Sequence, residues 1–243
     1  MPGDGQSNNP LTVLAQRRAL YGPDAPAITW KFWTLTTIVL VALAMAFGDA
    51  RLTIAARTEP DWLRFLGENT TNFGKSGWIL VLSGAIFLIS MLRIRFAHAA
   101  TARSVIDQAR AWAISAAFMF LSVALSGIIS NIVKRIIGRA RPPMFESVGP
   151  FHFQPFSGAM FESLPSGHAT TDGAIAMVLA ILFPKFRVPI LIAGAYFALT
   201  RIVVGAHYLS DVIAGYSFGM WYAAMSAIVF AMHGFAVGAR QKS

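Results

Sequence analysis

Stretches of mostly apolar residues recur along this chain at a length of roughly 20, and short polar segments separate them. A hydrocarbon core about 30 Å thick takes roughly 20 residues of α-helix to cross. Of the 243 residues, 56% are apolar and only 13% are charged, which is typical of a chain that folds in a bilayer. We therefore predict an all-α, polytopic bundle of six transmembrane helices. The predicted spans are 30–47, 78–92, 111–133, 169–183, 188–204 and 212–232.

Polar segments at both ends predict two tails around one membrane domain. Residues 1–29 contain several Pro and Gly and lack the apolar stretch and cleavage site of a signal peptide, so we predict a flexible cytoplasmic tail. The membrane domain follows at 30–233, and 234–243 form a second cytoplasmic tail. Within the domain, 49–75 mixes charged and large apolar side chains, which fits either an amphipathic helix on the membrane surface or a solvated loop.

The basic residues indicate which class of partner to expect. The chain has 20 Lys and Arg against 11 Asp and Glu, but no basic run of the kind that binds nucleic acid. Instead they lie at the ends of apolar segments or in one short region, as expected for membrane topology and phosphate binding. Cysteine is absent, which excludes a disulfide framework and a thiolate-bound metal. The expected partners are the bilayer and a phosphorylated membrane lipid, and no nucleic acid.

Lys and Arg in short loops stay on the cytoplasmic side of a membrane. With six spans, eleven Lys and Arg residues lie on the same side of the membrane as the termini and nine lie on the other side. Six of those nine remain once Lys134, Arg141 and Arg201, which have a chemical reason to be there, are set aside. This bias predicts a multi-pass protein of the cytoplasmic (inner) membrane with both termini cytoplasmic. The segment 134–165, and with it the active site, then faces the periplasm or exterior.

Three short segments hold nearly all the polar residues that a membrane bundle does not need for folding. They are 134–142, 165–168 and 201–211, and each lies at the outward end of a predicted span. Charge close to hydrocarbon is costly, so its presence indicates a function. We expect the three segments to meet at one site.

His207 and Asp211 are four residues apart at a predicted helix start, which places both side chains on one face. A carboxylate there can hold the Nδ1–H of the imidazole, so that Nε2 keeps a free lone pair able to attack phosphorus. We interpret His207 as the nucleophile and Asp211 as its partner. The attack would form a phosphohistidine.

Phosphoryl transfer spreads negative charge over the phosphate oxygens, which calls for several hydrogen-bond donors aimed at one point. Cationic side chains and the amides at a helix start supply such donors. The candidate phosphate ligands are Lys134, Arg141, Ser166, Gly167 and Arg201. The departing lipid alkoxide needs a proton, and His168 is the other group in these segments that titrates near neutral pH, so it is the candidate general acid.

These motifs are Lys-x6-Arg-Pro from Lys134, Pro-Ser-Gly-His from Pro165, and Arg-x5-His-x3-Asp from Arg201. Together they resemble the three-part signature of the type 2 phosphatidic acid phosphatase superfamily, which includes membrane lipid phosphatases and vanadium haloperoxidases. The resemblance implies a hydrolase that needs no metal and no cofactor, with the residues above in the same roles. One position departs from the pattern, because Thr200 stands where Ser usually opens the third part.

Several alternatives stay open. A lipid phosphotransferase shares the first half-reaction with a hydrolase, and a six-helix anion transporter would use the same cations, although no internal repeat supports it. The substrate can be phosphatidic acid, phosphatidylglycerol phosphate, undecaprenyl pyrophosphate or a lipid A phosphate, because the motifs recognise only the phosphate group that these lipids share. Asp172 either orients His168 or caps a span, and His152 and Glu162 either touch substrate or are solvated. The aromatic segment 143–164 either lines an entry for acyl chains or packs on the outer rim.

Overall fold

The computed structural model describes residues 10–21, 30–97, 102–235 and 237. These ranges are almost wholly helical and contain no strand beyond an isolated bridge between Arg139 and Phe153. Their α-helices are α1 Pro10–Tyr21, α2 Trp30–Leu43, α3 Asp49–Ala55, α4 Asp61–Thr70, α5 Ser76–Arg95, α6 Arg103–Ile137, α7 Phe145–Val148, α8 Gly167–Leu182, α9 Arg187–Val203 and α10 Leu209–Met232. The prediction of an all-α membrane bundle is confirmed.

Helix α8 lies at the centre of the bundle, packed against α6, α9 and α10. Its approach to α10 is so close that a Cβ at Gly173 would lie 2.2 Å from the carbonyl oxygen of Tyr216, and one at Gly219 would lie 2.1 Å from that of Thr170. Only glycine permits such contact, as in the small-residue interfaces of membrane helices. The start of α8 is thereby fixed beside the start of α10.

The six predicted spans are matched by five long helical segments and one shorter helix. Within the described residues, five segments are long and apolar enough to cross a bilayer: Trp30–Ala55, Asp61–Arg95, Arg103–Ile137, Pro184–Val203 and Leu209–Met232. The predicted span at 169–183 is α8, which has 16 residues and is about 24 Å long, shorter than a hydrocarbon core of about 30 Å. Because α8 starts beside α10 and leads into α9, which returns to the same end of the bundle, it still joins the two ends of the bundle.

The predicted N-terminal tail is helical where the structure describes it. Helix α1 packs against the end of α10, and Arg17 donates from Nε to the carbonyl of His233 at 2.6 Å and from Nη2 to that of Gly234 at 3.2 Å. The last carbonyls of a helix have no hydrogen-bond donor within the helix, and an arginine side chain can donate hydrogen bonds to them. Residues 10–21 therefore form a helix that contacts the end of α10, and the flexibility of the tail stays a prediction. The other predicted tail residues lie outside the described ranges, apart from 234, 235 and 237.

The stretch 49–75 is mostly helical, formed by α3, α4 and a 3-10 turn at Thr71–Gly74. Its Asp49 is fully buried, which neither interpretation of this stretch anticipated. The aromatic segment 143–164 folds back on the end of α6, where the amide of Gln154 donates to the carbonyl of Gly138 at 2.6 Å. Gly138 has φ of 65° and ends α6 in the left-handed region that favours glycine. This turn directs the chain across the end of the bundle.

Candidate active site

The three polar segments meet at one end of the bundle, as expected. The amide of Ser166 donates to the carbonyl of Asp211 at 3.0 Å, which joins the second segment to the third. A side-chain ion pair of 2.7 Å between Arg139 and Asp211 joins the first segment to the third. The positions of all three motifs are therefore fixed by direct contacts between the ends of α6, α8 and α10.

His207 lies in the turn between α9 and α10 and is almost fully buried. Its Nδ1 lies 2.9 Å from the backbone carbonyl of Ser163 and 3.7 Å from Oδ2 of Asp211. A carbonyl oxygen can only accept, so this contact places the proton on Nδ1 and leaves the lone pair on Nε2. The tautomer expected from the sequence is the one this contact favours, but the hydrogen-bond partner is Ser163 rather than Asp211.

The reason for this difference is the position of the helix start. Helix α10 begins at Leu209, so His207 precedes the helix and does not share a helical face with Asp211. Oδ2 of Asp211 instead accepts from the amide of Tyr208 at 3.0 Å and from the hydroxyl of Ser163 at 2.6 Å. Asp211 thus caps α10 and holds the segment that carries the Ser163 carbonyl.

Burial lowers the pKa of the His207 imidazole below its usual value of 6.5. The neighbouring charge of Asp211 opposes this shift, whereas those of Arg141 and Arg201 reinforce it. Desolvation has the largest effect, so the ring is neutral near pH 7. A neutral ring with Nε2 unprotonated is the form that can act as a nucleophile.

Arg139, which lies between Lys134 and Arg141 in the first motif, is a fully buried cation. It donates to Asp211 from Nη1 at 2.7 Å and to Asp49 from Nη2 at 2.7 Å. Its guanidinium also lies 4.3 Å from the ring centroid of Tyr208. Asp49 completes the cluster by accepting from the amide of Ser210 at 2.9 Å and from its hydroxyl at 2.6 Å.

No sequence pattern indicates that Asp49 is part of the site. It stands between an apolar run and a polar stretch, where a charge usually marks the end of a span. Its partners are 90 and 161 residues away along the chain, so no local spacing could reveal the contact.

Two predicted phosphate ligands keep donor groups free. Arg141 and Arg201 each have a buried Nε without a hydrogen-bond partner among the described residues, while their Nη atoms donate to the Glu162 carbonyl at 3.2 Å and the Thr71 hydroxyl at 2.7 Å. A guanidinium held at one end with a donor unused is suited to receive an anion. Thr200 uses its hydroxyl within α9, donating to the Phe197 carbonyl at 2.6 Å.

Ser166 and Gly167 form the start of α8. The Ser166 hydroxyl accepts from the amide of Ala169 at 3.4 Å, so it is also the N-cap of the helix. A Cβ on Gly167 would meet no atom within 4 Å, which means that open space lies in front of this helix start. Helix N-termini favour anions because their first amides have no partner within the helix.

Lys134 forms an ion pair with Glu162, a residue whose role the sequence does not decide. Its Nζ lies 3.4 Å from Oε2 of Glu162, and Nε of Arg135 lies 3.2 Å from Oε1 of the same carboxylate. Lys134 and Glu162 are both mostly shielded from solvent, at 15% and 17% side-chain exposure. Glu162 therefore positions Lys134 at the rim of the site.

The remaining polar candidates are His168, Asp172 and His152. His168 lies at the second residue of α8, within electrostatic range of Arg141, Arg201 and His207. Asp172, one turn further along α8, forms neither a hydrogen bond nor an ion pair with His168, so no contact supports the interpretation that it orients that ring. The exposed His152 contacts the ring of Phe161 instead, with 5.9 Å between centroids.

Comparison with known proteins bears on what this arrangement does. A sequence model of the PAP2 superfamily matches residues 115–235. The chain is 43% identical over 224 residues to a lipid A 1-phosphatase of Rhizobium johnstonii, covering 91% of this chain and 89% of that protein. It is also 43% identical over 212 residues to a lipid A 1-phosphatase of Rhizobium etli, covering 86% and 88%. The chain belongs to the PAP2 superfamily.

The family confirms the resemblance inferred from the three motifs. This PAP2 chain is a multi-pass membrane protein and a phosphoric ester hydrolase of the lipid phosphatase type, and the anion-transporter alternative is set aside. In the crystal structure of a transmembrane PAP2 type phosphatidylglycerolphosphate phosphatase from Bacillus subtilis, the fold is similar with a TM-score of 0.54. That likeness covers 80% of this chain and 92% of the other at 20% identity, and it concerns the fold alone.

Proposed function

We propose that this PAP2 protein removes the 1-phosphate of lipid A through a covalent phosphohistidine at His207. The observation that carries the substrate is the 43% identity, over about nine-tenths of both chains, to a lipid A 1-phosphatase. The mechanism is supported by the free Nε2 of a neutral His207, which lies beside two arginines with unused donors.

The reaction has two steps. Nε2 of His207 attacks phosphorus, the bond from phosphorus to the lipid oxygen breaks, and His168 gives that oxygen a proton. Water then attacks the phosphohistidine, His168 takes a proton from it, and inorganic phosphate leaves while His207 is regenerated. Burial, reinforced by the neighbouring cations Arg201 and Arg141, lowers the pKa of the His168 ring, so the ring is expected to gain its proton together with the anionic substrate.

The phosphate is held by charge-assisted hydrogen bonds throughout both steps. Arg141, Arg201 and Lys134 supply the cations, and the start of α8 at Ser166 and Gly167 supplies amide donors. Asp211 acts through the Ser163 segment and is a positioning residue, since its Oδ2 has two closer donors than His207.

Phosphate release from purified lipid A by the detergent-solubilised protein, with excess chelator present, tests this function. We expect release by the wild type, loss of at least about 10³-fold in His207→Ala, and an acid-quenched protein that carries labelled phosphate on a histidine. His233→Ala is the matched control, because it removes an imidazole at the C-terminal end of α10, opposite to the site. Full activity of His207→Ala would overturn the mechanism, and loss of activity with chelator would overturn the metal independence.

The same labelled lipid distinguishes hydrolysis from phosphotransfer. A hydrolase releases all label as inorganic phosphate, whereas a phosphotransferase passes it to a second lipid acceptor supplied in the assay. We expect inorganic phosphate. Label recovered in the acceptor lipid would assign the phosphotransferase alternative.

We also propose that the site faces the periplasm or exterior from the cytoplasmic membrane, with both termini cytoplasmic. The structure refines the charge argument for this orientation, because Arg139 is wholly buried in an ion pair and cannot act as a loop charge. Setting it aside with Lys134, Arg141 and Arg201 leaves five basic residues on the outer side against eleven.

A further inference from the structure

A cavity of about 240 Å³ opens between α8, α9 and the turn that precedes α5. Apart from Asp172 its walls are apolar, with Phe73 and Trp78 at one edge and Ile175 and Leu179 along α8. Ala193 on its α9 side is exposed, so the cavity is open on the outer surface of the bundle. We call it the α8–α9 groove.

The groove starts next to the candidate active site. Asp172 is one helical turn after His168 on α8, a distance of about 6 Å along the helix axis. The turn at Gly74 packs over both residues, since a Cβ there would lie 2.9 Å from Cβ of His168 and 3.1 Å from Oδ2 of Asp172. A lipid whose phosphate lies at the start of α8 would have its first chain atoms at Asp172.

Asp172 itself is unusual within this groove. It is only 5% exposed, and its Oδ2 is buried without a hydrogen-bond partner among the described residues. Nearby Arg201 contributes charge but forms no ion pair with it within 4.0 Å, and Arg201 has its own unpaired Nε. An unsatisfied buried carboxyl group is costly unless another group completes its hydrogen bonding.

We infer that the α8–α9 groove binds an acyl chain of the substrate and that Asp172 accepts a hydrogen bond from the amide N–H that joins this chain to the headgroup close to the phosphate. This inference rests on the proposed function, because it assumes that a phosphorylated lipid is bound at the start of α8. It assigns the substrate class as acylated amino-sugar phosphates, to which lipid A belongs. Glycerophospholipids joined by simple esters have no donor at this position.

The donor is tested with two synthetic substrates of equal chain length, an N-acyl glucosamine 1-phosphate and the O-acyl glucose 1-phosphate that lacks the N–H. Asp172→Leu removes the acceptor, and we expect the preference in kcat/KM for the N-acyl substrate to fall about tenfold. Asp172→Asn keeps a carbonyl acceptor and should restore most of the preference. Asp107→Leu, at the opposite end of α6, removes an exposed carboxylate and is the matched control.

The groove is tested by filling it. Ala193→Phe places a ring in the opening at an exposed position, so folding should be unaffected, and the ratio of kcat/KM for long-chain N-acyl over N-acetyl glucosamine 1-phosphate should fall about tenfold. Equal losses on both substrates would overturn the chain-binding role. Likewise, an Asp172→Leu protein that loses activity equally on N-acyl and O-acyl substrates would overturn the hydrogen bond.

These outcomes are separate from failure of the proposed function. If the wild type released no phosphate from any of the substrates, the proposed function itself would fail. If it released phosphate from lipid A while both ratios stayed unchanged in the variants, the proposed function would stand and this inference alone would be wrong.

Discussion

Gly167 marks the space where the phosphate is expected to lie. It is helical, at the first position of α8, and a Cβ on it would enter open space rather than the protein. Alanine is favoured over glycine in helices by about 0.5–1 kcal/mol, so a purely structural role predicts a stable, active variant. If Gly167 instead lies against the bound phosphate, we expect the alanine variant to be stable but less active.

We expect Gly167→Ala to melt at or above the wild-type temperature while kcat/KM for lipid phosphate falls by about tenfold or more, because the methyl group occupies space needed by the phosphate oxygens. Thermal unfolding and phosphate release on the same preparation check this. Gly77→Ala is the control, since Gly77 is also near a helix start and also borders open space. Unchanged kinetics in Gly167→Ala would contradict the assignment.

The protonation state of His207 is a second property that can be tested at the level of one residue. Burial lowers its pKa below 6.5, so as pH falls the ring takes up a proton at a lower pH than an exposed histidine does. Nitrogen NMR of histidine-labelled protein, assigned with His207→Ala, should show a proton on Nδ1 of the neutral ring and a titration midpoint below 6.5. A midpoint at or above 6.5, or a neutral ring with its proton on Nε2, would refute this state.

At the scale of helices, the buried cluster around Arg139 joins the end of α6 to the starts of α3 and α10. Arg139→Met would leave two carboxylates, Asp49 and Asp211, buried without their cation. Breaking a buried ion pair from one side costs about 3–5 kcal/mol, so we expect a large fall in unfolding free energy together with loss of activity.

Arg135→Met is the matched control for this change. Arg135 lies four residues earlier, in the last turn of α6, but its side chain is 59% exposed and pairs with Glu162 at 3.2 Å. Exposed pairs contribute about 0–1 kcal/mol, so the melting temperature should hardly move. Equal melting temperatures for the two variants would show that the Arg139 cluster does not hold these helices together.

The helices themselves were largely accessible from sequence, because a run of apolar residues long enough to cross a bilayer leaves few alternatives to a helix. The predicted span 111–133 lies within α6, and 212–232 lies within α10. The sequence pattern did not predict the exact length of each helix, since α8 is apolar enough to resemble a full span but has only 16 residues.

The motifs located the site, but the contacts inside it depended on where each helix begins. A spacing of four suggested a pair on one helical face for His207 and Asp211, and the start of α10 at Leu209 removed that geometry. The contacts of Asp49 and Glu162 could not be predicted for a related reason. Their partners come from other elements, and only the folded chain brings them together.

At the scale of the whole molecule, the absence of cysteine allows the orientation to be measured directly. Ser157 is exposed at the site end of the bundle, and Ser104 is exposed at the opposite end of α6. In intact cells, a membrane-impermeant maleimide should label Ser157→Cys and leave Ser104→Cys unlabelled until the membrane is permeabilised. The reverse pattern would place the site on the cytoplasmic side.

The order in which the residues of the Arg139 cluster are synthesised also determines when the site can form. Asp49, Arg139 and Asp211 leave the ribosome in that order, and the carboxylate that supports the His207 turn is in the last of the helices described here. Until α10 has been inserted, Asp211 is missing from the cluster and the His207 turn lacks its support. A nascent chain that has not reached α10 is therefore not expected to act on the lipids around it, and phosphatase activity begins when α10 is in the membrane.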